Sequence, residues 1–592
     1  MGRGSLRRPG VLAAIAATAA LVAACGGGGS GGSASSSAPG NAAGAAQKGG
    51  KLTLLTQNEQ IQHLDPQRNY TGVDLAFAGS FLQRSLTSFT YDPDPKKANV
   101  VVGDLAVDAG KPSNGGKSWA FTLRDGVAFE DGTPIKCADV KYGVSRTFAT
   151  DVITDGPTYA ISLLDIPKGS DGSSVYKGPY KETPEGKAAF DKAVTCSADD
   201  KTITFNLKSA SGDFNQTTTL LSFSPVPKAK DKGEKYDDAT VSSGPYKVQT
   251  YTKGQKLVLV RNDKWTEASD PLRKAYPDTI EVNFKLDPGA VDQRLIADAG
   301  PDQAAATHGD PVQPQNLATI FNTTGDNQAK DKFKGRAFND YDVYVRYIAI
   351  NTSKVPVLEH RKAIAAAMDR EALRRIAGGN FAGDLADSVV KPNIGDAYAP
   401  TGLFESALGK QIPPNGDPEY AKQLIQQSGK PVPAITYDYS KTPVNDKAAA
   451  VVQSSLAKAG ITVKLNPIQP GTYYGIVLDP KKQNEMTLAG WGADWPNAST
   501  VIPELLTPEG GFNLSRLNDK AFTDKVTAAR GEADPAKQAQ LWAELGKEAM
   551  AQVPVVPTRF GKVQYLTGSK VGNAYIWSPY GSLPYAALYV KK

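Results

Sequence analysis

The sequence predicts an α/β protein built from more than one domain. Its 592 residues exceed what a single hydrophobic core holds, on a prior of ~150 residues per domain. In the C-terminal half, helical periods pass directly into strand periods across short loops, the arrangement that builds an α/β lobe with much parallel sheet. In the N-terminal half, the block from Trp119 to Tyr142 sets alternating strands, two tight turns and a strand-to-helix transition side by side.

Taken in order, Arg3, Arg7 and Arg8 precede an apolar run from Val11 to Ala24 that closes on Val22-Ala23-Ala24-Cys25. The run is shorter than the ~20 residues of a spanning helix. Residues 1–24 therefore read as a signal peptide with a lipoprotein cleavage box. Cys25 becomes the acylated first residue, because its thiol takes the lipid that holds a soluble body at the extracytoplasmic face of the cell membrane. The tether that follows, to Gly50, is nearly all Gly, Ser and Ala, with an expected end-to-end distance of roughly 25–30 Å.

Lys51–Leu55 predicts a short strand, and Asp74–Leu86 a helix with Ala76, Phe77, Phe81 and Leu82 spaced at i, i+1, i+5 and i+6. Trp119, Phe121 and Leu123 alternate with Ala120, Thr122 and Arg124, the period of a half-buried strand. Asp125-Gly126 turns the chain, Val127 and Phe129 resume the alternation, Asp131-Gly132 turns it again, and a helix starts over Ala138 to Val144. Thr202–Leu207 alternates once more. Ile364, Ala367 and Met368 form a helical stripe whose plain reading is core. Asp417-Pro418 caps a helix that buries Ala421, Leu424 and Ile425 and ends at Ser428-Gly429. A further helix, Ala448 to Ala459, stops at Gly460 and passes into Ile461, Val463 and Leu465 at strand period.

Lys and Arg number 67 against 61 Asp and Glu, and three of the arginines lie in the leader. Near-neutrality with interspersed signs argues against a nucleic-acid binder. Enzyme readings fail on inventory. His63, His308 and His360 are far apart and none has metal-ligand spacing, and there is no G-x-S-x-G elbow or P-loop. Past Cys25 only Cys137 and Cys196 remain, an even pair in an exported chain, which predicts a disulfide; two buried free thiols are the alternative.

Several segments carry a family likeness in combination: the block Trp119–Tyr142, Leu64-Asp65-Pro66, Ser243-Gly244-Pro245-Tyr246 with Leu259-Val260-Arg261-Asn262, the run from Tyr344 to Arg370, Ala489 to Pro496, and Val553 to Thr558. Together they resemble the family-five extracytoplasmic solute-binding proteins of ABC importers, the group of oligopeptide- and dipeptide-binding proteins, over essentially the whole mature chain. In place of the Thr-Ala usual in the family, Lys136-Cys137 stands at the start of a helix, so a cap is exchanged for a covalent link. The resemblance implies a two-lobed Venus-flytrap fold of the large peptide-binding type with an extra domain inserted in the first lobe. Lobe I would comprise 51–96, 237–344 and 552–592, the additional domain 97–236, and lobe II 345–551. Two crossings, near Tyr344 and Gln552, would form a hinge that opens in one main direction. The implied protein is a monomer without cofactor or metal that captures peptides and delivers them to a membrane permease.

The resemblance also points to a site. Ala489-Gly490-Trp491-Gly492-Ala493-Asp494-Trp495-Pro496 is similar to the family's "GW.aD" motif, in which the Asp pairs with the α-ammonium of a peptide. An ammonium taken from water needs such a carboxylate and hydrogen bonds in place of its hydration. Gly490 and Gly492 are expected to leave room for a ligand backbone, and Trp491 and Trp495 to offer apolar walls; the alternative is a turn Asp bonding its own loop, with core tryptophans. Tyr70-Thr71-Gly72-Val73 would present an extended strand to the peptide main chain. Tyr473 and Tyr474 line the cleft or pack in the core. Where the family often continues "D.PDP", this chain has Asn497, so one acidic group is absent. Arg346, Arg361 and Arg559 are each open as receivers of a peptide carboxylate. An oligosaccharide stacked on the same aromatics is the rival ligand; an exported hydrolase and a nickel-complex binder are more remote.

Overall fold

The strand Lys51–Leu55 forms where the pattern places it and is buried from Leu52 onward. It runs parallel to both neighbours, Thr279–Asn283 and Ala305–Thr307, in a five-stranded mixed sheet. The sheet continues through the antiparallel pair Lys256–Arg261 and Tyr246–Thr252, which carries Tyr246 and Leu259-Val260-Arg261. The computed structural model describes residues 46–592, all within one compact unit. The leader, Cys25 and most of the tether lie outside the described residues. Among the described residues no helix is long and apolar enough to cross a membrane.

Trp119 and Phe121 alternate inward as predicted, in a four-stranded antiparallel sheet ordered Lys111–Ser113, Ser118–Thr122, Thr202–Asn206, Val194–Cys196. The inward rings gather closely, with Phe121 edge to face on Phe205 at 6.0 Å and Phe205 tilted against Phe214 at 5.4 Å. The helix Cys137–Arg146 packs on this sheet, and Cys137 is bonded to Cys196 on the edge strand, their Cα atoms 5.8 Å apart. The cap lost at Lys136-Cys137 is made good by carboxylates. Asp200 accepts from the Ala138 N–H at 3.0 Å and Asp139 from the Lys136 N–H at 2.9 Å. Closing a loop with a sequence separation of 59 removes chain entropy from the unfolded state, so a Cys137→Ser, Cys196→Ser protein is expected to lose about 2–4 kcal/mol in urea unfolding; a loss below 1 kcal/mol would set that account aside.

A buried ionic junction ties the Leu64-Asp65-Pro66 turn to this helix. Arg146 donates to both carboxylate oxygens of Asp65, at 2.7 and 2.6 Å, and to Asp231 at 3.3 Å, with no exposed surface on the Arg146 or Asp65 side chains.

The third sheet is six-stranded, ordered Gly383–Leu385, Val555–Leu566, Ala337–Ile350, Met486–Gly492, Ile435–Ser440, Val463–Ile468. Only part of it is parallel as the helix-to-strand repeats predicted: Ile435–Ser440 runs parallel to both its neighbours, whereas the other three pairings are antiparallel and make the sheet mixed. The helices Leu358–Ala367, Pro418–Ser428 and Pro443–Lys458 cover one face with Ile348, Ile350 and Val556. The helices Lys520–Gly531 and Pro535–Ala551 cover the other with Val345, Tyr347 and Ala349. The two long strands Ala337–Ile350 and Val555–Leu566 are paired antiparallel and join separate cores. Ala337 and Leu566 pack with Leu55, Leu295 and Phe321, while Ile348 and Val556 belong to the helix-covered core. Midway, between Tyr341 and Val345, their register breaks. The Lys391 ammonium fills the break, donating to Asp342 Oδ1 at 2.8 Å and to the carbonyls of Tyr344 and Gly561 at 3.0 and 2.7 Å.

Three expected elements form differently: the helix expected from Ala448 already begins at Pro443, Val127 and Phe129 flank an isolated bridge between Ala128 and Pro134 in place of a strand, and the third is the helix after Tyr70. The helix predicted from Asp74 begins at Gly72 and ends at Phe81, so Gly72 and Val73 are its first turn and not an extended edge. Asp74 fixes that start: it sits in the first turn, accepts from the Gln62 N–H at 3.0 Å and meets His308 Nε2 at 3.1 Å.

Candidate functional site

The strand Met486–Gly492 ends in the turn that carries Asp494. Strand alternation sends Trp491 to one face of the sheet and Gly490 and Gly492 to the other. The two glycines leave room for the chain's own side chains. A Cβ at Gly490 would stand 2.6 Å from Arg346 Nη1, and one at Gly492 2.8 Å from the Tyr344 ring. Arg346 in turn lies over that ring, 4.6 Å from its centre. In this ligand-free structure the room over the two glycines is taken by the stacked Arg346 and Tyr344 side chains, which a side chain at either position would have to displace.

Asp494 draws together distant parts of the chain. Its carboxylate accepts from the Tyr70 hydroxyl at 3.0 Å, from the Tyr159 hydroxyl in a short bond, and from Thr500 Oγ1 at 3.3 Å. The residue as a whole is half-buried, whereas the carboxyl group itself is enclosed by these partners. Burial pushes its pKa up to about 6; the three hydroxyl bonds oppose the rise, and Glu504 adds to it. Burial and the Asp494 charge likewise raise the Tyr70 and Tyr159 phenols, which stay protonated donors.

The residues after Asp494 dock on the same neighbours. The Trp495 ring is buried, 4.8 Å from the Tyr159 ring, and its indole N–H donates to Ser499 Oγ at 3.1 Å. Ser499 donates onward to Asp213 in a short bond. Beside it, the Gly212 N–H donates to the Arg530 carbonyl at 2.8 Å, and a Cβ at Gly212 would fall 1.8 Å from the Glu532 carbonyl oxygen. Trp491 donates to the Thr500 carbonyl at 2.8 Å and packs against Phe512 at 4.7 Å.

The two tyrosines of the pair separate. Tyr473 is buried, its hydroxyl bonded to the Leu488 carbonyl, while Tyr474 is 47% exposed and 5.8 Å from Phe512. Tyr70 reaches the site from just before the helix, whereas Thr71 is exposed at its N-cap position and Gly72 and Val73 are half-buried in its first turn. Of the three arginines left open, Arg361 is taken up by backbone. It donates to the Gln552 carbonyl at 3.0 and 2.8 Å and to those of Val355 and Pro356 at 3.0 and 2.8 Å. Arg346 and Arg559 face one another across the two long strands.

No shared histidine centre forms. His63 pairs with Asp237, His308 with Asp74 and Tyr585, and His360 with Ser428 and the Lys430 carbonyl. Among the described residues the one cluster with metal-ligand spacing is Cys137, Cys196 and Asp200, whose sulfurs are bonded to each other. Sequence reasoning missed Tyr159, Thr500 and Asp213. Tyr159 follows Asp155-Gly156-Pro157 in a stretch without periodicity, and nothing local announces its reach to Asp494. Thr71 and Asp74, by contrast, have the spacing of a capping box and give away the earlier helix start.

Residues 100–513 match the bacterial extracellular solute-binding proteins, family 5 middle region. The chain is 22% identical to the dipeptide-binding protein DppE of Bacillus subtilis over 552 residues, 89% of this chain and 90% of that one. It is 22% identical to the oligopeptide-binding protein OppA of the same organism, over 76% of this chain and 77% of that one. Among solved structures it superposes on the clavulanic acid biosynthesis oligopeptide binding protein 2 with a TM-score of 0.80 at 27% identity, covering 92% of this chain and 96% of that one. The two-lobed architecture is the one those proteins share. The chain thus belongs to the family 5 bacterial extracellular solute-binding proteins, which hold their solutes without transforming them.

Proposed function

We propose that this protein captures peptides in the cleft between its lobes and delivers them to the permease of an ABC importer, with the peptide's free amino group held at Asp494. The observation that carries the reading is the oxygen cluster of Asp494, Tyr70, Tyr159 and Thr500, drawn from segments more than 300 residues apart in their longest pairings. An ammonium entering it meets one full negative charge and hydroxyl lone pairs in place of water. The matched relatives named for dipeptides and oligopeptides support the same ligand class. The sugar reading is weakened because Trp495 and Tyr473, two of the four aromatics it relies on, are buried.

The same reading includes the leader of residues 1–24, lipidation at Cys25, the tether to Gly50, a monomeric body, and the division into lobe I, an additional domain over 97–236 and lobe II. The full protein would then sit at the extracytoplasmic membrane face, free to swing toward its permease.

Calorimetry with peptides and their N-acetylated forms tests the ligand. Acetylation removes the cation and leaves a buried carboxylate without its partner, so affinity should fall at least about 100-fold; equal binding of both forms would refute the assignment. The pH dependence has a definite sign. A bound ammonium favours the ionised carboxylate, so the Asp494 pKa falls on binding from about 6. Affinity for a free-amine peptide should therefore be flat near neutrality and decline about tenfold per pH step below about 6.

A further inference from the structure

Arg68 lies two residues before Tyr70 and keeps only 8% of its side chain exposed. Its guanidinium reaches into the loop 154–158, which leads to Tyr159. There Nη2 donates to Thr154 Oγ1 at 3.0 Å and Nε to the Thr154 carbonyl at 3.3 Å, and the Asp155 carboxylate stands 3.5 Å from Nη2. On its other side Nη1 donates to the Glu234 carbonyl at 3.5 Å and lies 3.8 Å from Asp237.

The backbone closes the same contact. A Cβ at Gly156 would fall 1.8 Å from the Gln67 carbonyl oxygen and 3.2 Å from Arg68 Cα, so only glycine lets the loop lie this close. His63 adds a further tie, its ring meeting Asp237 at 2.6 Å and Asp155 at 3.5 Å.

The loop has little hold of its own. Thr154, Asp155 and Thr158 are exposed, and Asp155 takes a left-handed backbone conformation, with φ of 70°. Yet the residue at its end, Tyr159, places its hydroxyl on Asp494 beside that of Tyr70. A loop that had to be ordered at each encounter would set its lost conformational entropy against ligand affinity.

We infer that Arg68 is a positioning residue for the amine site: it fastens the loop 154–158 to the segment 65–70, so that the Tyr70 and Tyr159 hydroxyls reach Asp494 as one preassembled pair. The planar fork suits this task, because it takes the carbonyl and the hydroxyl of one threonine together, which an ammonium on a flexible stem does less well. The inference rests on the peptide reading above for what the pair grips; the fastening itself belongs to the protein alone.

The test uses the full mature protein, with Arg68→Met, Arg68→Lys and Gly156→Ala set against a double variant, Tyr70→Phe, Tyr159→Phe. Calorimetry compares a tripeptide with its N-acetylated form. Arg68→Met and Gly156→Ala should each weaken the free-amine tripeptide by about tenfold or more and the acetylated one by less than about threefold, with Arg68→Lys falling between Arg68→Met and the wild type. In the protein lacking both hydroxyls, Arg68→Met should cost less than about a further threefold, because nothing is left for it to position. Urea unfolding supplies a readout without peptide: removing both hydroxyls should lower stability about twice as much or more in the wild type as in Arg68→Met. Arg68→Lys, which keeps the buried charge, carries the same comparisons if Arg68→Met does not fold. An equal loss for both peptide forms, an undiminished loss in the protein without the hydroxyls, or hydroxyls that contribute equally to stability with and without Arg68 would overturn the inference and leave Asp494 untouched. A wild type indifferent to N-acetylation would overturn the Asp494 role instead, and the unfolding comparison would then decide the positioning by itself.

Discussion

Asp494→Asn is expected to strengthen the ligand-free protein at neutral pH and to abolish its grip on free-amine peptides. The folded carboxyl titrates near 6 against an ordinary 3.8 because it is buried. A raised folded pKa means that the folded state holds its proton more tightly, so the stabilisation is complete below about pH 4 and is lost as pH climbs through 6. At pH 7 the ionised group burdens the fold by roughly 3 kcal/mol. Asparagine keeps a carbonyl oxygen for the Tyr70 and Tyr159 hydroxyls and sheds the charge, although its amide needs an acceptor of its own. A net gain of about 2 kcal/mol follows. Urea unfolding at two pH values gives the decisive pattern: the variant should exceed the wild type at pH 7 and match it near pH 4. A variant weaker by the same margin at both would show that the carboxylate is a structural bond and no more. Affinity moves the other way, by at least about 100-fold, since the ammonium then enters a site with no opposite charge.

Arg146→Met should be among the most damaging single changes in the protein. Arg146 and Asp65 have no exposed side-chain surface and meet through both carboxylate oxygens. Removing the cation leaves Asp65 buried and uncompensated, at about 3–5 kcal/mol. The double variant Asp65→Asn, Arg146→Met removes the stranded charge as well and should recover more than half of the loss. A single-variant cost below 1 kcal/mol in the urea midpoint, or no recovery in the double variant, would mean that water reaches Asp65 and that the junction is less closed than its geometry implies. Because the turn and the helix it joins lie at opposite ends of a chain segment more than 80 residues long, the loss should fall on their docking and leave the six-stranded sheet intact.

Much of this architecture was readable in the chain, and the failures have physical causes. Alternation at Trp119 and Phe121, the Asp417-Pro418 cap and the helix-to-strand passage at Gly460 are local signals, and the structure honours each. The cysteine pair followed from counting thiols in an exported chain. Asp494 was singled out through a motif, whereas the hydroxyls around it were not. Tyr70, Tyr159 and Thr500 converge on it only after three stretches of chain fold, and hydroxyl residues in irregular segments carry no period. Gly490 and Gly492 were read as openings because glycine signals close approach without saying what approaches. The register partners Tyr344 and Arg346 supply the answer, and register across antiparallel strands is not written in either strand alone. The start of the helix at Gly72 was misplaced for the opposite reason: the signal was present in Thr71 and Asp74, and the expectation of a peptide-binding edge overrode it.

The two long strands that pass from one core to the next have a mechanical meaning. Bonded edge to edge, they make a ribbon, and a ribbon bends more readily across its thin dimension than within its plane. Lys391 ties the interruption in that ribbon to Asp342, Tyr344 and Gly561, so this break in its register is held by three hydrogen bonds. On the lobe closure proposed above, opening would reduce to a single angle across this ribbon, and one pair of distance probes on either side of it would report the motion.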